Sequence, residues 1–191
     1  MYYDIILTTS HNPSPKLRTF IKELNLAIPR SIKITRGKRT LTTLFLEALT
    51  YRSKRVIVAL ERRGNPSGLT VYYVDTNLRK LVRKYTIIFS GVTLWRDIPN
   101  ATRVYNPESI GVYALGDEEN LLYISEKIAD SLLAKIVFDE ESIKKFDIIV
   151  SIGRVGTIFH LKFLNPSTGR YCGPIIKIVK VVEYEETKGK Y

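Results

Sequence analysis

The opening rhythm constrains this chain most: an apolar run, Ile5-Ile6-Leu7-Thr8-Thr9, is followed after a short gap by Ser14-Pro15 and an apolar stripe at helical spacing. The run reads as a buried strand. Ser14 reads as an N-cap and Pro15 as the first helical residue, where a fixed φ and a missing N–H do no harm. Leu17, Phe20, Ile21 and Leu24 fall at i, i+3, i+4 and i+7, leaving Lys16, Arg18, Lys22 and Glu23 on the wet face. Pro29 separates this helix from a short alternating strand, Ser31-Ile32-Lys33-Ile34-Thr35. Thr40 then caps a second helix with the stripe Leu41, Leu44, Phe45, Ala48 and Leu49. Strand, helix, strand, helix predicts an α/β fold with a parallel sheet.

Val56-Ile57-Val58-Ala59-Leu60 predicts a third buried strand, and a turn over Gly64-Asn65-Pro66-Ser67-Gly68 leads into Leu69 to Val74. A further strand around Tyr85 to Phe89 closes the half. After Pro99 and Pro107 the rhythm restarts. Val112 to Leu115 reads as a strand, and Leu121, Leu122, Ile128, Ala129, Leu132 and Leu133 mark a long helix. Phe146 to Ile152, Thr157 to Phe163 and Ile175 to Val182 supply three more strands, the first two joined by a turn near Gly153 to Gly156. The repeated order predicts two similar α/β halves, about 1–103 and about 104–191. Glu183 to Tyr191 are polar and charged and are expected to fray beyond the final strand.

Charge divides the same way. The chain has a formal net charge of +11, but residues 1–103 carry 19 Lys/Arg against 6 Asp/Glu, a net +13, and residues 104–191 carry 11 against 13, a net −2. A basic first half beside a near-neutral second half points to a polyanionic partner for the first. The plainer alternative is a lysine- and arginine-rich surface of the kind thermophilic proteins carry.

Loops that follow parallel strands emerge at one carboxyl edge, where ligands bind in α/β sheets. That rule gathers Thr8, Thr9 and Ser10, the tetrapeptide Arg36-Gly37-Lys38-Arg39, and Arg62-Arg63. Hydroxyls and helix-start N–H groups can donate to phosphate oxygens, guanidinium groups add charge and bidentate geometry, and Gly37 allows close backbone approach. Lys16 and Arg18 extend the candidate surface, with Lys22, Arg52, Lys54 and Arg55 beyond them. Taken singly, each of these groups could equally be a solvated or capping residue. Their convergence in a basic half favours RNA.

The signals for catalysis are poor. Cys172 is the only cysteine, so no intramolecular disulfide and no thiolate zinc knuckle can form. His11 and His160, the only histidines, lie in no metal-binding spacing, and GxxxxGK[ST] and GxSxG are absent. The acidic runs Asp117-Glu118-Glu119 and Asp139-Glu140-Glu141 could ligate a metal in a nuclease, but at helix starts they read more simply as partners of the helix dipole. No metal or cofactor is expected. Gly153-Arg154-Val155-Gly156 fits the GxxG pattern of the KH loop, yet it lies between strands and reads as a hairpin turn. No run approaches the length of a membrane span and no signal peptide is evident, so a cytoplasmic protein without a small-molecule substrate is expected.

Ile6-Leu7-Thr8-Thr9-Ser10, Glu23-Leu24, Pro29, Ser31-Ile32-Lys33-Ile34 and Arg36-Gly37-Lys38 together resemble the opening of a Brix domain, of the ribosome-biogenesis family. Phe146-Asp147-Ile148-Ile149 and Gly173-Pro174 resemble its closing part, although Ile175 stands where the family pattern has arginine. The resemblance covers roughly residues 4–182. It implies an archaeal-type, non-catalytic factor that binds ribosomal RNA or its precursor in processing and subunit assembly, alongside other assembly proteins. It also implies that each half is similar to the anticodon-binding domain of class II aminoacyl-tRNA synthetases. Matched by position, Thr8 to Ser10 and Arg36 to Lys38 are the motif residues; Arg39, Arg62 and Arg63 come only from the edge geometry. An RNA-processing nuclease and a protein-interaction scaffold without direct RNA binding stand as the alternatives.

Overall fold

The computed structural model describes residues 2–185; of the segment expected to fray, 186–191 lie outside the described residues. The first half runs β1 (Ile5–Thr9), α1 (Pro15–Ala27), β2 (Ser31–Lys33), α2 (Leu41–Tyr51), β3 (Arg55–Arg62), β4 (Asn65–Asp75) and β5 (Lys80–Thr93). A 3-10 turn at Trp95–Asp97 follows. The second half runs β6 (Ile110–Ala114), α3 (Glu119–Leu132), β7 (Lys135–Val137), α4 (Glu140–Ile143), β8 (Ile148–Val155), β9 (Ile158–Leu164) and β10 (Tyr171–Glu183).

These strands form one mixed ten-stranded sheet in the order β2-β1-β3-β4-β5-β10-β9-β8-β6-β7. β1, β2 and β3 are parallel, as are β6, β7 and β8, and the remaining pairings are antiparallel. The element order of the first half recurs in the second, and the two halves meet where their last strands, β5 and β10, pair.

Both predicted caps are made. Ser14 Oγ accepts from Leu17 N at 3.2 Å and Thr40 Oγ1 from Thr43 N at 3.1 Å, each satisfying an orphan donor of a first turn. Leu17, Phe20, Ile21 and Leu24 are all buried. They join α3 and the inner positions of the central strands in one core, to which β5, β9 and β10 contribute Ile87, Phe89, Phe163 and Ile178. On the opposite face α2 packs Leu44, Phe45 and Ala48 against Ile6, Val56 and Val58. Leu41 and Leu49, expected in that stripe, are 41% exposed. α2 lies over β3, β4 and β5 and buries only the strip formed by Leu44, Phe45 and Ala48.

Gly173 and Pro174 have a packing reason. A Cβ on Gly173 would lie 2.9 Å from the Phe163 side chain. The β9–β10 register slips between Tyr171 and Ile175, which is where a proline without an N–H is tolerated in a strand.

Candidate nucleic-acid interface

The parallel pairing of β1, β2 and β3 puts their following loops at one edge, as the sequence predicts. What reaches solvent there is a different subset from the expected one. Thr8 is fully buried with its hydroxyl donating to Ile34 O at 2.8 Å, and Thr9 is buried as well. Both residues hold the sheet and neither presents a donor to a ligand. Ser10 is half-buried, its N–H donating to Ala59 O at 2.8 Å.

Within the tetrapeptide, Gly37 (φ 50) and Lys38 are exposed. Arg36 is not: it is 7% exposed, and among the described residues its Nε and Nη1 find no hydrogen-bond partner. Burial lowers its pKa, opposed by Tyr72 nearby, but a guanidinium stays protonated at neutral pH. His11 Nδ1 lies 3.1 Å from Gly37 O, so that nitrogen carries the proton, because a carbonyl only accepts. His11 Nε2 is then free to accept from Arg36 Nη2 at 3.4 Å. Arg36 thus charges the loop from beneath. Arg39 is also withdrawn, donating from Nε to Glu47 Oε1 at 2.6 Å and from Nη1 to Thr35 O at 2.8 Å.

A second cluster forms at the start of α1. Ser14 N donates to Glu61 Oε2 at 2.9 Å, and Ser14 Oγ donates to Gly64 O at 3.0 Å, which ties the helix start to the β3–β4 hairpin. These hydrogen bonds hold the Glu61 carboxyl below its usual pKa. Arg63 (φ 51) and Gly64 (φ 76) make the turn itself, a tighter one than the sequence suggested. Lys16 Nζ donates to Asn65 Oδ1 at 2.8 Å. Lys16, Arg62 and Arg63 converge on a cleft that also reaches Ser90 and Gly91, and among the described residues no carboxylate lines it. Arg18 is exposed, its Nε donating to Pro13 O at 3.1 Å.

Of the more distant cations, Arg52 stacks over Tyr2 at 4.5 Å, Lys54 pairs with Asp4 at 3.6 Å, and Arg55 pairs with Asp130 at 2.8 Å. Arg55 serves the joint between the halves.

Sequence reading missed a cationic face. On the side of the sheet away from α1 and α3, the outward positions of β5, β9 and β10 include Arg83, His160, Lys162, Lys177 and Lys180. No Asp or Glu occupies an outward position on β4, β5, β9 or β10. Lys177 sits directly across from His160. Burial, Lys177 and Lys162 all lower the His160 pKa. Neighbouring like charges repel, so an array of cations without carboxylates is a cost that an anionic partner would relieve. The half-chain charge of −2 hid this face. The available signal was alternation: Lys162 and Lys177 lie at polar positions of strands whose other positions are apolar.

The acidic runs behave as helix starts. Asp139 Oδ1 accepts from Ser142 N at 2.7 Å, and Glu118 pairs with Arg154. Among the described residues no group of three or more His, Cys, Asp or Glu could hold a metal ion, and no helix is long and apolar enough to cross a membrane.

No family model matches the chain. A curated protein of Aeropyrum pernix named a probable Brix domain-containing ribosomal biogenesis protein is 38% identical over 91 residues, covering 48% of this chain and 50% of that protein. A protein of the same name from Saccharolobus solfataricus is 34% identical over 93 residues, covering 49% and 52%. Over about half its length this chain is similar to Brix-domain proteins. The match spans about half the length of these curated relatives. Likeness of fold to solved structures extends further along the chain. The crystal structure of a probable ribosomal biogenesis protein from Aeropyrum pernix matches with a TM-score of 0.77 at 25% identity, over 92% of this chain and 95% of that one. An archaeal Imp4-like protein matches with a TM-score of 0.65 over 94% of this chain, and at 20% identity it speaks to fold alone.

Proposed function

We propose that this protein is a non-catalytic factor of ribosome assembly that grips the backbone of ribosomal RNA or its precursor during processing. The observation that carries the reading is the convergence of Lys16, Arg62 and Arg63 on one carboxylate-free cleft. Exposed Lys38 lies at the same sheet edge, and Arg36 adds charge beneath it. Such an array suits phosphates, which position a nucleic acid without reading its sequence. The outward cations of β5, β9 and β10 extend the path over the open sheet. The names of the curated relatives support the ribosomal setting, and the site of action is the cytoplasm. Each half is taken to keep the anticodon-binding type of fold that the family resemblance implies.

The test is fluorescence anisotropy with labelled ribosomal RNA fragments, followed by incubation of the same RNA with protein and Mg²⁺. Salt-sensitive binding that leaves the RNA intact is the expected result. Cleavage would favour the nuclease reading, and absence of binding the scaffold reading.

A further inference from the structure

The recurrence of elements places a second carboxyl edge in the molecule, and its chemistry is inverted. In the first half the ends of β1 and β2 lead into Ser10-His11 and Arg36-Gly37-Lys38; in the second the ends of β6 and β7 lead into Leu115-Gly116-Asp117 and Phe138-Asp139-Glu140. Cations have been exchanged for apolar and acidic side chains at the matching place.

An open cleft of about 920 Å³ lies there, between the start of α3 and the end of β7. Tyr113, Leu122, Ile136 and Phe138 line its apolar part. Leu122 is 47% exposed and Phe138 86% exposed. Burying a side chain of that size is worth roughly 1.5–3 kcal/mol, so the chain forgoes that stabilisation here. A contiguous apolar patch rimmed by polar groups marks a docking surface. Asp117, Glu119 and Glu126 supply the rim. None of the three forms an ion pair among the described residues, whereas neighbouring Glu118 is taken by Arg154. Among the described residues β7 is also the last strand of the sheet, so its outer backbone edge lacks a neighbouring strand there.

We propose that this cleft docks a cationic amphipathic segment of another protein, with its apolar side chains against Leu122 and Phe138 and its Lys or Arg side chains against the acidic rim. Charge complementarity decides the occupant. The rim would repel RNA. A second copy of this chain would have to offer its exposed apolar helix face, on which Leu46 is 57% and Leu49 is 41% exposed. That helix, α2, carries Glu47 and no Lys or Arg between Leu41 and Tyr51, so it lacks the charge the rim calls for. The inference stands apart from the RNA reading, since the two sites use opposite charges.

The test uses a fluorescent synthetic Leu/Lys peptide with an amphipathic helical stripe, titrated with the full chain, beside a Leu/Glu peptide of the same spacing and a Leu/Lys peptide of scrambled spacing. The expected result is saturable one-to-one binding of the patterned Leu/Lys peptide alone. Phe138→Ser and the double variant Glu119→Lys/Glu126→Lys should each weaken it by roughly tenfold or more, about 1.4 kcal/mol. These side chains are exposed, and circular dichroism checks that the variants fold. Equal affinity for the Leu/Glu peptide, no binding, or binding unchanged by Phe138→Ser would overturn the proposal. A dimer in analytical ultracentrifugation that Phe138→Ser disperses would overturn it in favour of a second copy.

Discussion

Arg55 Nη2 donates to Asp130 Oδ1 at 2.8 Å, joining a strand of the first half to a helix of the second. Asp130 Oδ2 accepts from the hydroxyls of Tyr73 and Tyr85, each at 2.5 Å, and the Arg55 guanidinium lies 3.5 Å over the Tyr73 ring. One carboxylate therefore binds three consecutive strands, β3, β4 and β5, to α3. The halves share a polar fastening as well as a core.

Asp130→Ala would leave the Arg55 guanidinium and the Tyr73 hydroxyl without their acceptor in a partly buried place, where the Arg55 side chain is 14% exposed, while the Tyr85 hydroxyl keeps Lys127 O at 2.9 Å. Unanswered buried donors and charges cost more than the lost bond itself. A loss of about 2–4 kcal/mol is expected in urea unfolding. A loss within about 0.5 kcal/mol, as for a plain surface position, would show the fastening to be incidental.

The same cluster shapes the pH profile. Burial pushes the Asp130 carboxyl up, but hydrogen bonds from Tyr73, Tyr85 and Arg55, and the Arg55 charge, more than offset this and leave it below 3.8. Its contribution to stability is present above that ordinary value and is lost as pH falls through the lowered one. Tyr73 shifts the other way, pushed up from 10.0 to about 12 by burial and by its hydrogen bond to Asp130. Its contribution is present below pH 10 and is lost as pH rises towards 12. Melting temperature should therefore decline across that alkaline window, and Tyr73→Phe should flatten the decline.

Gly173→Ala places a methyl group 2.9 Å from Phe163, itself 1% exposed. Overpacking of this kind costs about 1–3 kcal/mol. Chemical denaturation of the variant checks the value, and a loss within about 0.5 kcal/mol, as for a plain surface position, would show that the site has room for a methyl group.

Cys172 is buried and its thiol is pushed up to about 12 by desolvation. Since the thiolate is the reactive form, a disulfide reagent at neutral pH should label it only at the rate of opening, and at once in denaturant. Prompt labelling of the native protein would contradict the packing of β10.

Much of this fold is legible in the sequence because its signals are local. Ser14-Pro15 and Thr40 mark helix starts through bonds to residues three positions on, and Ile5 to Thr9 is a strand to the residue. β7 escaped because three residues hold too little periodicity to register, and α4 was marked only by the acidic run at its start. The site was legible by edge and not by residue. Thr8, Thr9 and Arg36 lie at the right edge, but whether a side chain faces solvent depends on what packs against it: Thr8 is tied to Ile34 O, and Arg36 is buried near Tyr72 of β4. The cations of β9 and β10 cancel against distant carboxylates in any sum over sequence, and only the pairing of strands separates the two faces.

The most direct measurement is the salt dependence of RNA affinity for the native chain and for Lys38→Ala/Arg62→Ala/Arg63→Ala, by anisotropy with a labelled single-stranded ribosomal RNA fragment. The native log–log slope should be steep and negative, and the triple variant should bind more weakly with a slope shallower by about 0.7 for each phosphate contact removed. Affinity independent of salt, or a variant with unchanged slope and affinity, would contradict the account.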